Sequence, residues 1–322
     1  MKNLNKILIG IRDSKLSKAQ TKIFIDQAKQ IESISSNYSL DIKTIKTTGD
    51  IHNNHRLDQM GGKGLFVREI EEQLIKKDID LAVHSMKDLP SQESKNNLKI
   101  VCWLQRHGNE DVLISNLGKS FYDLPSGSII GTSSIRRRSQ ILNLRKDLSI
   151  KLLRGNVDTR INKLQNKEYD AIILSKAGLD RLNLSHLITE VLDKSIFLPA
   201  ANQGAVGIQS NQDSSFNDHL RHINHSNTET ECLAERMILK LVNANCNSPI
   251  SVSASVASDQ IKISCDLFDH DGEKLFHKTI KSKQNEYAEL SKAIADEILS
   301  TVGQTKINTL DKLENDFNYK AP

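Results

Sequence analysis

Short apolar runs alternate with segments of helical period along the first third of the chain. Residues 7–11 (ILIGI) predict a buried strand, and apolar side chains recur on one face of the segment after it. Residues 65–77 carry another apolar stripe with charged residues outside it, which predicts a helix. A further strand is predicted at 80–85. Strands that alternate with helices are typical of an α/β sheet.

Two further blocks follow, and their patterns differ. A second α/β block covers about 110–198, and residues 205–209 predict a strand that is able to return to the first domain. From about residue 228 the pattern becomes a helix, three alternating segments and a helix at about 286–301, which predicts a small α+β domain with an antiparallel sheet. The tail after Gln304 is polar and is expected to fray. The strands predicted in these two blocks lie near 128–130, 150–153, 171–174, 250–257, 261–268 and 274–280.

Length and composition limit the class of protein. A chain of 322 residues exceeds the size of a single hydrophobic core, so two or three domains are expected. Its apolar runs are too short to span a bilayer. The N-terminus lacks the features of a signal peptide, so the protein is expected to be cytoplasmic. Four cysteines without a C-x-x-C pair argue against a zinc knuckle, and no metal is expected.

Basic residues are concentrated in one region, although the net charge is only +4. Residues 131–140 (GTSSIRRRSQ) place small polar residues between a predicted strand and a helix that opens with three arginines. Helix N-termini favour anions, so this segment predicts a carboxylate or phosphate site. The alternative is an ordinary helix cap with a solvated basic face, to which Arg138 is assigned. Residues 153–160 (LRGNVDTR) and Arg181 add arginines after later strands, where ligands of open α/β sheets bind.

Residues 84–90 (HSMKDLP) end a predicted strand with Lys87 and Asp88. A carboxylate beside a lysine at a strand end is a candidate acid–base group, and equally a candidate surface ion pair or turn residue. Residues 61–66 (GGKGLF) do not have the spacing of a phosphate-binding Walker loop. A nucleic-acid-binding protein is the other class to weigh, but 4% aromatic residues offer few stacking platforms.

Nine segments together resemble the porphobilinogen deaminase family in order and spacing, from residue 7 to about 255. They are IRDSKLSKAQ (11–20), KTTGD (46–50), GGKGLFVREIEEQL (61–74), DLAVHSMKDLP (80–90), GTSSIRRRSQ (131–140), LRGNVDTR (153–160), YDAIILSKAGLDRL (169–182), LPAANQGAVGI (198–208) and AERMILKLVNANCNSPI (234–250).

The resemblance implies two α/β domains of the periplasmic-binding-protein kind and a C-terminal α+β domain with an antiparallel sheet. The implied boundaries are 1–104 with 203–222 for domain 1, 109–198 for domain 2 and 227–322 for domain 3. A dipyrromethane cofactor, built from two substrate rings, is implied on Cys246 through a thioether. The other cysteines are expected to be buried apolar residues.

The implied reaction is the head-to-tail condensation of four porphobilinogen molecules into hydroxymethylbilane, with release of ammonia, in tetrapyrrole (haem) biosynthesis. Asp88 is the implied acid–base residue, supported by His84, Ser85 and Gln203. Each ring of the growing chain carries two carboxylates, so an arginine-rich site is required. The residues implied to bind them are Arg12, Ser14, Lys63, Lys87, Thr132, Ser134, Arg136, Arg137, Arg154, Arg160 and Arg181. Replacing Arg136 or Arg137 is expected to affect ligand binding and not stability.

The chain departs from the family pattern at four places. Gln59 stands where lysine is frequent, and Asp158 and Asn202 replace glycines. Ala244 and Asn245 replace two glycines before Cys246, and asparagine tolerates the left-handed backbone that glycine supplies. A monomer with a small-molecule substrate is expected, without nucleic-acid or membrane partners. A non-catalytic anion-binding protein on the same fold is the alternative.

Overall fold

The chain is represented by a computed structural model that describes residues 4–47, 67–92, 96–245 and 247–311. It divides into two compact units, one formed by 1–107 with 205–229 and the other by 108–204 with 230–322. The division into three domains stays a prediction. The fold is mixed α/β, as predicted, with two five-stranded sheets and a separate three-stranded antiparallel sheet. Within the described ranges, no helix combines the length and apolar character that crossing a membrane requires.

The first unit contains one five-stranded sheet with the order β2-β1-β3-β10-β4. Strand β1 pairs in parallel with β2 and β3, whereas β10 runs antiparallel to β3 and β4. The predicted return of residues 205–209 to the first sheet is therefore confirmed. The elements are β1 (Asn5–Arg12), α1 (Lys15–Ala28), α2 (Glu32–Ser35), β2 (Tyr38–Ile45), α3 (Arg68–Ile75), β3 (Leu81–Ser85), β4 (Leu98–Trp103), β10 (Val206–Asn211) and α7 (Asn217–Leu220).

The second unit begins with another five-stranded sheet, in the order β7-β6-β8-β5-β9. Strand β6 is parallel to β7 and β8, and β5 is antiparallel to β8 and β9. Apolar residues fill the core on both of its faces. The elements are β5 (Asp111–Ser115), β6 (Ile129–Gly131), α4 (Ile135–Leu144), β7 (Ser149–Lys151), α5 (Val157–Gln165), β8 (Ala171–Ser175), α6 (Lys176–Arg181) and β9 (Glu190–Val191).

An antiparallel sheet and its helices complete the second unit. Buried alternate residues of β12, such as Ile261, Ile263 and Cys265, face helices α8 and α9 in one hydrophobic core. The predicted antiparallel sheet is confirmed. Its elements are α8 (Ser226–Leu241, which begins in the first unit), β11 (Ile250–Ala257), β12 (Gln260–Phe268), β13 (Lys274–Lys283), α9 (Tyr287–Thr301) and α10 (Gln304–Asp311).

The expectation of a frayed tail directly after Gln304 is wrong. Residues Gln304–Asp311 form α10, and Ile307 and Leu310 are buried in the core of the third sheet. These two apolar residues lie three positions apart, so they share one face of the helix. Burial of that face holds the segment against the sheet.

Candidate functional site

The end of strand β3 places Asp88 beside Arg12. A 3₁₀ turn at Met86–Asp88 follows the strand directly, and Arg12 is the last residue of the neighbouring parallel strand β1. The Asp88 Oδ2 atom lies 3.6 Å from Arg12 Nη1, and the two side chains are 35% and 21% exposed. The structure therefore brings together the predicted acid–base residue and one predicted carboxylate-binding residue in a partly open position.

Predicted site residues in the first unit are also held by local hydrogen bonds. Ser14 caps helix α1, where its Oγ accepts the Ser17 N–H at 3.1 Å. Ser85 Oγ accepts from Gln20 Nε2 at 2.8 Å. Sequence reasoning missed Gln20, whose only signal is a polar side chain on the inward face of α1, where it is almost fully buried. Lys87 is half-buried in the same turn as Asp88.

His84 faces away from Ser85, because successive side chains of a strand point to opposite faces. It is buried, and its Nε2 lies 3.0 Å from Gln209 Oε1 on strand β10. Gln209 in turn donates to Glu71 Oε1 on helix α3 at 2.7 Å. His84 thus belongs to a polar chain that joins β3, β10 and α3.

In the second unit, helix α4 begins where the sequence predicts an anion site. Ser134 is its N-cap, and its Oγ accepts the N–H of Arg137 at 3.4 Å. Thr132 Oγ1 accepts the N–H of Ser134 at 3.1 Å. Arg138 is half-buried and donates to the carbonyl oxygen of His270, so its assignment to a solvated basic face is wrong.

The guanidinium groups of Arg136 and Arg137 converge on one buried carboxylate, that of Asp111. Arg136 Nη2 lies 2.6 Å from Asp111 Oδ2, and Arg137 Nη2 lies 2.7 Å from Oδ1. Gln203 Nε2 donates to the same Oδ1 at 3.0 Å. Further guanidinium hydrogens bond the backbone carbonyl oxygens of Leu198 and Ile173. Two positive charges and one negative charge are therefore buried together.

The electrostatics of this cluster favour the ionised form of the Asp111 carboxylate. Burial alone would raise the pKa of Asp111, but the charges of Arg136 and Arg137 and hydrogen bonds from Arg137 and Gln203 hold it well below its ordinary value. Sequence reasoning missed Asp111. The expectation that Arg136 and Arg137 do not matter for stability stays a prediction, and the geometry argues against it, because removing either would break buried charge-assisted hydrogen bonds to Asp111.

The remaining predicted arginines of the second unit lie within helix α5, at the end of helix α6 and just before α5. Arg160 Nε donates to the Gly155 carbonyl oxygen, and Arg181 Nη2 to that of Gly204, each at 2.7 Å. Arg154 is half-buried immediately before Gly155. Burial lowers the pKa of Arg181 to about 10, against the nearby charge of Asp180, so it stays cationic at neutral pH.

Two predicted site residues, Lys63 and Cys246, lie outside the described residues. The other three cysteines, Cys102, Cys232 and Cys265, are buried, as expected. Burial, with a contribution from Glu229, raises the pKa of the Cys102 thiol to about 12. Burial raises the pKa of Cys265 as well. Buried thiols of raised pKa are poor nucleophiles.

Comparison with known proteins shows the family to which this chain belongs. The family model described as "Porphobilinogen deaminase, dipyromethane cofactor binding domain" matches residues 7–218, and "Porphobilinogen deaminase, C-terminal domain" matches 229–300. The chain belongs to the porphobilinogen deaminase family. The porphobilinogen deaminases of Bacillus cereus and Bacillus anthracis are each 42% identical to it over 280 residues, which cover 86% of this chain and 89% of each relative.

Solved structures give weaker similarities. A probable amino-acid ABC transporter extracellular-binding protein from Bacillus subtilis is 13% identical, with a TM-score of 0.40, over 74% of this chain and 97% of that one. A TRAP periplasmic solute binding protein from Desulfovibrio salexigens is 10% identical, with a TM-score of 0.41, over 70% and 73%. TM-scores this low support no conclusion about this chain.

The described residues fit the dipyrromethane cofactor that the family carries. The buried Nε of Arg181 has no hydrogen-bond partner within the described part of the chain, so it is a donor that an anionic ligand can satisfy. The two guanidinium groups on the single carboxylate of Asp111 leave one positive charge in excess. A ligand with several carboxylates suits both features, because charge-assisted bonds to arginine are among the strongest polar contacts in proteins.

Proposed function

We propose that this chain is a hydroxymethylbilane synthase that condenses four porphobilinogen molecules head to tail on a covalently bound dipyrromethane cofactor and releases ammonia. Membership of the porphobilinogen deaminase family supports the activity. The single structural observation that carries it is the Asp88 carboxylate, half-exposed at a strand end 3.6 Å from Arg12. Family membership does not support the non-catalytic anion-binding alternative.

Asp88 acts as the acid–base group in this proposal. When bound, the cofactor supplies the pyrrole carbon on which the chain grows. Asp88 Oδ protonates the leaving amine of the incoming substrate, stabilises the cationic ring by its negative charge, and accepts the ring proton at the end of each cycle. Arg12 orients the carboxylate, because its guanidinium lies close enough to attract Asp88 while the Asp88 side chain stays partly exposed. His84, Ser85 and Gln203 are supporting residues.

The carboxylates of cofactor and substrate are bound by a set of cationic and hydroxyl side chains. Several of these have donors aimed at backbone oxygens or at Asp111, which fixes their orientation before a ligand arrives. Preorganised donors lose less freedom when a ligand binds. The proposed residues are Arg12, Ser14, Lys63, Lys87, Thr132, Ser134, Arg136, Arg137, Arg154, Arg160 and Arg181.

Cys246 is the proposed point of cofactor attachment. The burial of Cys102, Cys232 and Cys265 supports this choice by elimination, because a thioether requires an accessible thiol. The proposal also includes a monomeric, cytoplasmic enzyme that takes neither nucleic acid nor membrane as a partner.

Asp88→Asn tests the function directly. The amide is nearly isosteric but cannot exchange protons, so we expect a fold-preserving loss of turnover of about 10² to 10⁴-fold. Porphobilinogen consumption and ammonia release measure it, with circular dichroism as the check on folding. Asp41→Asn is the matched control, since Asp41 is half-exposed on edge strand β2 and pairs with Lys6. Near-normal turnover in Asp88→Asn would remove Asp88 from the mechanism.

A further inference from the structure

The side chain of Met86 occupies the space that a side chain at Gly207 would need. A Cβ atom built on Gly207 would lie 2.3 Å from Met86 Sδ and 3.1 Å from Met86 Cγ. The same Cβ would also lie 3.1 Å from Ile100 Cγ2 on strand β4. Glycine inside a strand often marks a close approach of this kind. Met86 therefore rests directly on the backbone of β10.

Met86 is the first residue of the turn that carries Asp88, and it is anchored in three ways. Its N–H donates to the Ala205 carbonyl oxygen at 3.1 Å, and its own carbonyl oxygen accepts the Leu89 N–H at 3.3 Å. Its side chain is fully buried against Gly207. Two of the three anchors join the turn to the segment 205–207 that leads into β10.

The side chain of Met86 has little freedom to move elsewhere. It is fully buried, and Ile100 Cγ2 also lies within 3.1 Å of the Cβ position at Gly207. A methyl group at 207 must therefore push Met86 Sδ outward by roughly 1 Å or more, because protein interiors are close-packed. The displaced residue is two positions from Asp88, within one short turn. A misplacement of about 1 Å at a catalytic group costs about 10²-fold in rate, so transmission of part of this displacement through the turn to Asp88 would lower turnover.

We propose that Gly207 and Met86 are positioning residues for Asp88. Because Gly207 has no side chain, Met86 packs against its backbone, and this packing fixes the turn that positions the Asp88 carboxylate. This inference rests on the proposed role of Asp88. Neither residue touches the reacting atoms. Their contribution is expected mainly in the turnover number, because Lys87 is the single proposed carboxylate-binding residue that lies within this turn.

Gly207→Ala is the direct test. We expect kcat to fall about 10- to 100-fold with KM changed by less than about threefold, and the mass of the bound cofactor retained. In a Met86→Ala background, where the methyl group has room, the same substitution is expected to cost less than about threefold. A second readout is the methyl resonance of Met86, one of four methionines in the chain, which should shift in Gly207→Ala.

Gly10→Ala is the matched control. Gly10 lies on β1 of the same sheet, and a Cβ there would lie 2.3 Å from Ile79 Cδ1, so the steric conflict is similar but does not involve Met86. We expect a lower thermal midpoint, an unchanged Met86 resonance and a kcat within about threefold of wild type. An equal loss of kcat in Gly10→Ala would mean that general distortion of the sheet is responsible, and would overturn the proposal.

Two further outcomes also decide the matter. Folded Gly207→Ala with wild-type kcat overturns the proposal, and so does an equal cost of the methyl group in the Met86→Ala background. If Gly207→Ala does not fold, Met86→Ala alone must lower kcat at least tenfold at unchanged KM, and a normal kcat refutes it. Asp88→Asn, assayed in parallel, distinguishes the catalytic role of Asp88 from the positioning role of Gly207 and Met86. Inactive Asp88→Asn together with a wild-type kcat in Gly207→Ala refutes only the positioning role.

Discussion

At the scale of single residues, the carboxylate of Asp111 organises much of the anion site in the second unit. It accepts hydrogen bonds from Arg136, Arg137 and Gln203, and it is completely buried. The two arginines are thereby held in place before any ligand binds. Asp111 therefore has a structural role, and that role also orients two of the proposed carboxylate-binding arginines.

Asp111→Asn should lower the free energy of unfolding and make that free energy depend less on pH in acid. The folded pKa of Asp111 is depressed, so its stabilisation is complete above the unfolded value of about 3.9 and is lost as the pH falls below it. Breaking a buried charge cluster costs about 3–5 kcal/mol at neutral pH. Urea unfolding of apoprotein between pH 3 and pH 7 measures both effects, with Asp41→Asn as the exposed control. Parallel acid profiles for wild type and Asp111→Asn would contradict this prediction.

The residue scale also shows which parts of the site the sequence could predict. Asp88 and Arg12 end neighbouring parallel strands, and the pattern of strands and helices was enough to place Asp88 at a strand end. Asp111 could not be found in this way. It is separated from Arg136 by 25 positions, and the pairing depends on β5 lying beside β8, which no local pattern reveals.

At the scale of elements, alternation predicted the third sheet well. Its three strands were predicted to within a few residues, because apolar and polar residues alternate along much of each strand. Strand β2 was not assigned, since it is an edge strand whose middle residues are largely exposed and polar. Short strand β5 was also missed. Its buried residues Val112–Ile114 form a continuous apolar run that is too short to distinguish from a segment of buried helix.

The turn before strand β10 makes a prediction about Asn202. Its φ is 60°, it is buried, and its N–H donates to Glu235 Oε2 at 2.5 Å. Asn202→Gly should preserve the turn, whereas Asn202→Ala should lower the free energy of unfolding by about 1–2 kcal/mol relative to the glycine variant. Urea unfolding of the two variants measures the difference. Equal free energies of unfolding for the two variants would show that the left-handed backbone at this position does not lower the stability of the alanine variant.

At the scale of the whole molecule, each of the two compact units carries some of the residues proposed above. Arg12, Ser14, Lys87 and Asp88 belong to the first unit, while the residues from Thr132 to Arg181 belong to the second. The chain carries a net charge of only +4, so its capacity for anions comes from local concentration and not from overall charge. Arg160 and Arg181 are oriented by uncharged backbone oxygens, and Arg136 and Arg137 together exceed the charge of Asp111 by one.

Cys246 makes the last prediction, on which the attachment of the cofactor depends. Intact-mass measurement of holoenzyme should show one two-pyrrole adduct, and peptide mapping should place it on the peptide from Asn245 to Pro249. Cys246→Ser should have the unmodified mass and no turnover, because a hydroxyl is a far weaker nucleophile than a thiolate. Cys232→Ser is the control: Cys232 is buried on helix α8, so its loss should lower stability and leave the adduct intact. An adduct on Cys102, Cys232 or Cys265, or active enzyme with an unmodified Cys246, would overturn the assignment.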